Sequence, residues 1–259
     1  MTSRFRAPRS FFVVLVALVG VWHVRDLEAD PLLDKTGHAI WVSEGQIRAV
    51  LTDHSSSESG SVDGVSGEVA KAVRETVDKL LDWYDYHAKV GNLDADGCLP
   101  IGPTHYEQQD ARLEGLTPLA ELVERADDAV VVNVTRVEQG FEYRELKTRV
   151  TVELINDLSS RAGGPPAGEV FWFDLRSVSF RFGDKLICQE RRDLEQPRVG
   201  ENLLLLGRLK DRSAGHFLVA NYFEVKNGAV VRLPYVFVDP ESERSIARLS
   251  ETRRSSQDK

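Results

Sequence analysis

From Ala129 onward the chain is dominated by β-type runs. They cover Ala129–Val137, Tyr143–Leu154, Val170–Arg176, Ser177–Ile187, Leu203–Leu209, Phe217–Val225 and Ala229–Phe237. Only turn-like segments separate them, and no helical period interrupts them. "EQG" at 138–140 reads as a turn, and "KNG" carries the Asn-Gly hairpin signal at Asn227-Gly228. "SSRAGGPPAG" at 159–168 reads as a loop. So many short strands in succession predict a closed or nearly closed antiparallel β-barrel. One short helix precedes it. In "TPLAELVERADD", Thr117 is placed to cap and Pro118 suits the first helical position. Leu119, Leu122, Val123 and Ala126 fall on one face.

The segment ahead of the barrel has a different rhythm. "HAIWV" and "QIRAVLT", joined by "SEG", read as a β-hairpin. Ser66 then starts a long helix to about Lys89. Its apolar stripe is Val69, Val73, Val77, Leu80, Leu81, Tyr84 and Ala88, and Gly91 is its stop. The fold expected is therefore α+β: an N-terminal hairpin plus long helix packed on a barrel that a short helix introduces. "VFWFDL" (170–175) is apolar on both faces, which predicts a strand buried between the barrel core and the N-terminal layer.

The first 29 residues stand apart. Arg4, Arg6 and Arg9 precede twelve apolar residues, Phe11 to Trp22, ended by His23 and Arg25. A basic start followed by a short apolar run is the pattern of a signal peptide or short uncleaved anchor. A membrane-spanning helix needs about 20 such residues. No Cys follows the run, so a lipid anchor of that type is excluded. The expected organisation is a leader at 1–29, a hairpin-helix region and connector at 30–115, a barrel at 116–240, and a charged, flexible tail at 241–259. The expected location is outside the cytoplasm: periplasmic, secreted, or tethered to the membrane if the leader stays.

Three segments together carry a resemblance: "TPLAELVERADDAVVVNVTRVEQG", "TRVTVELINDL" and "PRVGENLLLLGRL". They resemble a domain of uncharacterised exported bacterial proteins, in which a helix ending in Ala-Asp leads into a strand. A Thr-rich strand follows, and a Gly-Glu turn introduces an apolar strand. Asp127, Gly200 and Glu201 match those positions. Asn133 stands where that domain has a glycine, "INDLSS" replaces its Lys-Gly, and the glycine-rich segment after the third strand is missing from "FWFDLRSVSFRF". The resemblance implies a small OB-like barrel over about 116–238 and carries no activity with it.

Charge and motifs then narrow the function classes. A formal net charge of −8 lacks the basic footprint of a nucleic-acid binder. No H-E-x-x-H, C-x-x-C, G-x-S-x-G or phosphate-binding glycine loop occurs. "GNLDADGC" (91–98) starts like a calcium loop, with Asn92, Asp94 and Asp96 at alternate positions. Pro103 sits where the loop would need its bidentate Glu, so a polar turn competes with a weak calcium site, and no other cofactor is implied. Cys98 and Cys188 are the only cysteines, so one intramolecular bridge is available, against two buried thiols. Trp83 and Tyr86 flank the helical stripe and are candidate partner contacts. The reading that follows is a non-enzymatic binding or interaction module at the cell envelope, with an unidentified protein or small ligand as partner. Two alternatives stand beside it: a metal-assisted hydrolase built on His87, Asp94, Asp96 and His105, and a structural or assembly component.

Overall fold

The computed structural model describes residues 32, 39–52, 61, 63–101, 117–142, 145–158, 166–182, 185–191, 196–211, 215–231 and 238–257. The leader and the connector carrying Pro103 and His105 lie outside the described residues. The described elements are four helices and ten strands. The helices are α1 (Glu44–Thr52), α2 (Gly67–Lys89), α3 (Leu119–Arg125) and α4 (Ile246–Gln257). The strands are β1 (Trp41–Ser43), β2 (Leu99–Ile101), β3 (Asp128–Glu142), β4 (Glu145–Asp157), β5 (Val170–Leu175), β6 (Val178–Phe182), β7 (Lys185–Arg191), β8 (Asn202–Asp211), β9 (His216–Lys226) and β10 (Ala229–Val230). Among the described residues no helix is long and apolar enough to cross a membrane.

Five strands close a barrel in the order β3-β4-β5-β9-β8 and back to β3. Four of the five pairings are antiparallel, but β5 meets β9 in parallel at Trp172 and His216. The barrel is therefore mixed, not wholly antiparallel. Side-chain alternation fills it. Val130, Val132 and Val134 of β3, Val150, Val152 and Leu154 of β4, Phe171 and Phe173 of β5, Leu203 and Leu205 of β8, and Phe217 and Tyr222 of β9 make one interior cluster. Four consecutive leucines in β8 are explained by a second layer. Leu203 and Leu205 point inward, while Leu204 and Leu206 pack with Leu119, Val123, Phe223 and Leu249 under α3 and α4. That is the strand covered on both faces. β5 is not: Val170 is 57% exposed, and Trp172 is half-buried on the outside.

Several sequence expectations are overturned. The second run of the supposed N-terminal hairpin is helix α1. Ser43 and Gln46 bond reciprocally, Ser43 N–H to Gln46 Oε1 at 3.0 Å and Gln46 N–H to Ser43 Oγ at 3.4 Å. This is a capping box, which commits the chain to a helix at "SEGQ". Ile47 and Val50, three apart, then both bury. The charged tail, expected to be flexible, carries α4 over Ile246–Gln257. Ile246, Leu249, Ser250 and Arg253 recur at helical spacing and are all buried. "EQG" is likewise no turn, since β3 runs through it to Glu142. The Asn-Gly signal does turn the chain, with Asn227 at φ 52° and Gly228 at φ 74° between β9 and β10.

α3 is capped from far away. Thr117 makes an isolated parallel bridge with Val238 and does not cap the helix. The Ser242 hydroxyl accepts from Leu119 N–H at 3.0 Å. At the other end, the Arg253 guanidinium donates to the carbonyls of Val123, Ala126 and Asp127. The segment after the barrel thus closes both ends of the helix before it.

A second core lies beyond the barrel. It joins α1 and α2 to Phe141 and Leu146 at the far end of the β3–β4 pair, and to Val178, Phe180, Phe182 and Ile187 of the β6–β7 hairpin. That hairpin is inserted between the third and fourth barrel strands and pairs with β2 in a three-stranded sheet. Ser66 caps α2 through Val69 N–H at 3.4 Å, as its sequence predicts. The loop after α2 is fastened to β7: the Cys98 and Cys188 sulfurs are 2.10 Å apart, with Cα atoms at 4.5 Å.

Candidate functional site

Two surface features are assembled from several elements each. The first is a ladder on the outer face of the barrel. Trp41 of β1 lies over Gly140 of β3. The Arg149 guanidinium of β4 sits 3.9 Å from the Trp41 ring centroid and 3.6 Å from that of Trp172 on β5. Trp172 stacks on His216 of β9, with centroids 4.1 Å apart and planes at 10°. Such cation–π pairs gain strength when half-buried. Arg149 is also held by Asp174 (2.9 and 3.1 Å) and Glu142 (2.9 Å), and Lys147 bonds Glu142 at 2.8 Å. Burial pushes Asp174 up, and Arg149 offsets this only partly because the Glu142 charge adds to it. Burial also acts to raise Glu142, but Lys147 and Arg149 outweigh it and hold that carboxyl low.

The ladder explains Gly140. A Cβ there would stand 2.5 Å from the Val42 carbonyl oxygen and 2.6 Å from the Trp41 ring. Gly140→Ala is expected to lift Trp41 off the sheet and to lower stability by about 2 kcal/mol, the scale of overpacking. A lowered urea midpoint together with red-shifted tryptophan emission is the expected result. An unchanged spectrum would show that the ladder does not depend on this close approach.

The second feature is a groove of about 640 Å³ at one mouth of the barrel. Its floor is Val137, Glu138 and Gln139 of β3. Its walls are Glu44 at the start of α1, Ser179 of β6, and Gln196, Pro197, Arg198 and Val199 on the way into β8. Gln196 anchors the last of these by donating from Nε2 to Thr148 Oγ1 (3.1 Å), and that buried hydroxyl donates to the Ser177 carbonyl at 2.6 Å. The turn beyond is pinned to β3, with Gly200 N–H to Val134 O and Val134 N–H to Glu201 O, both 2.8 Å. Asn133 bonds Asn202 at 3.0 Å beside it. The groove's two carboxylates each carry their own arginine: Glu44 with Arg48 at 2.6 Å and Glu138 with Arg136 at 2.5 Å. Arg198 is exposed, and its guanidinium has no ion-pair partner among the described residues. Val199 is 66% exposed. No local sequence motif announces this groove, because its residues come from four separate chain segments.

The residues singled out from sequence are placed as follows. Asp94 Oδ1 accepts from Asp96 N–H (3.0 Å) and Cys98 N–H (2.8 Å), and Asp94 N–H donates to Cys98 O (2.9 Å). The carboxylate thus holds its own loop as a polar turn. The Asn92 amide instead meets His87 Nδ1 at 2.9 Å. Among the described residues, no group of three or more His, Cys, Asp or Glu side chains could hold a metal ion. His105 lies outside the described residues. Trp83 and Tyr86 are 39% and 59% exposed, and each packs edge-on against His87. Trp83 also rims a smaller groove with Thr76, Lys79, Leu80 and Gln189.

Tyr84 is the buried member of that helical turn, and its hydroxyl donates to the Gly97 carbonyl in the cysteine loop. Burial raises its pKa above the ordinary 10.0. A raised folded-state pKa contributes stability that is complete below the unfolded value and is lost as pH climbs through the folded one. Unfolding midpoints of the wild type should therefore fall as pH rises past the ordinary tyrosine value. In Tyr84→Phe that part of the decline should be absent, while stability at pH 7 drops by about 1 kcal/mol for the lost hydrogen bond. Parallel alkaline limbs in the two proteins would contradict this.

No family model matches the chain, and none of the curated proteins matches it.

Proposed function

We propose that this protein is an exported, non-enzymatic binding module whose ligand sits in the groove at the barrel mouth. The observation that carries this reading is the groove itself. Its volume lies within the range of about 300–1,000 Å³ typical of ligand sites, and barrel mouths and the junctions between cores are where such sites concentrate. Its polar groups converge from β3, α1, β6 and the approach to β8. The OB-like reading of the barrel draws support from its five strands, from their non-sequential order, and from the hairpin inserted between the third and fourth. Export draws support from the cysteine pair at bonding distance, which suits an oxidising compartment.

The test is a thermal-shift screen of polar small molecules and short peptides against the full chain, with Ser179→Trp as the groove-filled control. A ligand at 100 times its Kd should add about 2.7 kcal/mol of stability to the wild type, and little to the control. Ligands that stabilise both proteins equally would place binding elsewhere and sink this assignment.

A further inference from the structure

The floor of the groove is a strand edge with a gap in it. On one side β3 is paired with β4 from Val130 to Glu142, with register shifts between Val131 and Val132 and between Val134 and Arg136 that leave Thr135 without a register partner. On the other side β8 covers Asp128 to Asn133, and β1 covers Gly140 to Glu142. Between them, beyond the bonds of Val134 to the Gly200 turn, residues 135–139 have no strand alongside among the described residues. The gap is about 17 Å long at ~3.4 Å per residue, the length of a short strand. Both flanking strands run antiparallel to β3, so a strand laid in the gap antiparallel to β3 would continue the line of both. Backbone edges of this kind pair readily with an extended chain.

We propose that the groove binds an extended peptide segment of a partner protein, added as a short strand against residues 135–139, with an acidic side chain or terminal carboxylate on Arg198. This rests on the groove being the binding site and adds the ligand class. Charge decides the end group. Glu44 and Glu138 are neutralised in place, which leaves the Arg198 guanidinium as the groove charge open to a ligand. Val137 and the exposed Val199 supply apolar contacts for alternate side chains of a strand. Gln139 and Ser179 add polar groups.

The test starts from a random heptapeptide library panned on the immobilised full chain and counter-selected on Ser179→Trp. Where that variant melts early, Val199→Asp takes its place. Selected peptides, made with a fluorescein label, should bind by polarisation with micromolar Kd and carry an acidic residue. N-methylation of alternate backbone amides should weaken them about tenfold or more, because strand addition is held by main-chain hydrogen bonds. Arg198→Ala should weaken them about fivefold, and should have no further effect on peptides whose acid is replaced by its amide, given what one charged contact contributes. Amide exchange at 137–139 should slow in the complex. Binding indifferent to N-methylation would overturn strand addition. Small molecules that protect the wild type but not the groove-filled variant, with no peptide selected, would overturn the peptide class and leave the groove standing. No groove-dependent ligand of either kind would remove both.

Discussion

Reduction of the Cys98–Cys188 bridge is expected to lower the unfolding free energy by about 4–5 kcal/mol, from the chain entropy released by opening a loop of 90 residues. The loss should fall unevenly. The bridge ties the end of α2 to β7, so it closes the second core and not the barrel interior. Denaturant unfolding of the reduced protein should therefore split, the α1–α2 layer melting first. The double variant Cys98→Ser/Cys188→Ser should reproduce the reduced curve without reductant. Amide exchange read along the chain would check the location: fast exchange in α2 with retained protection in β4 and β8 is the expected pattern. A single cooperative transition shifted as a whole would show that the two cores unfold as one.

Loss of Arg253 should be the most damaging single substitution, at about 3–4 kcal/mol for Arg253→Met. Methionine fills much of the volume but removes the guanidinium that donates to the carbonyls of Val123, Ala126 and Asp127. A buried acceptor such as the Val123 carbonyl, stripped of a charged partner, costs far more than the net gain of one hydrogen bond. Arg253→Lys should recover less than half, because an ammonium cannot reach three carbonyls in a fork. Urea midpoints of the three proteins decide this, with far-UV circular dichroism to show whether α4 alone detaches. Equal midpoints for the methionine variant and the wild type would mean that α4 is held by Ile246 and Leu249 alone.

The barrel was legible because its signal is repetitive. Alternation in "ELKTRVTVELIND" and the unbroken leucines of β8 each report how many faces are covered, and both read correctly as strands. The errors fall where two short-range signals share the same letters. "SEGQ" contains a glycine that suggests a turn and a Ser–Gln pair that caps a helix, and the capping box decides the outcome. The tail was misread because its charges outnumber its apolar residues. The helical spacing of Ile246, Leu249 and Arg253 was present but sparse, and an arginine is not expected in a core. The α3 cap misled for a different reason: Thr117 is adjacent in sequence, while the group that caps is Ser242. The groove and the tryptophan ladder were illegible. Their members lie tens of residues apart, and only the register of β3 against β1, β4 and β8 brings them together.

The reach of α4 back to α3 has a consequence for the timing of synthesis. Leu204, Leu206, Val131 and Phe223 are covered by a layer whose last contributor is Leu249 and whose clasp is Arg253. A ribosome making about 5–20 residues per second exposes those side chains for seconds before their cover exists. That outer face of the barrel therefore stays uncovered until α4 has been made and docked. Until then the nascent protein is a client for whatever binds exposed apolar β-strand surface.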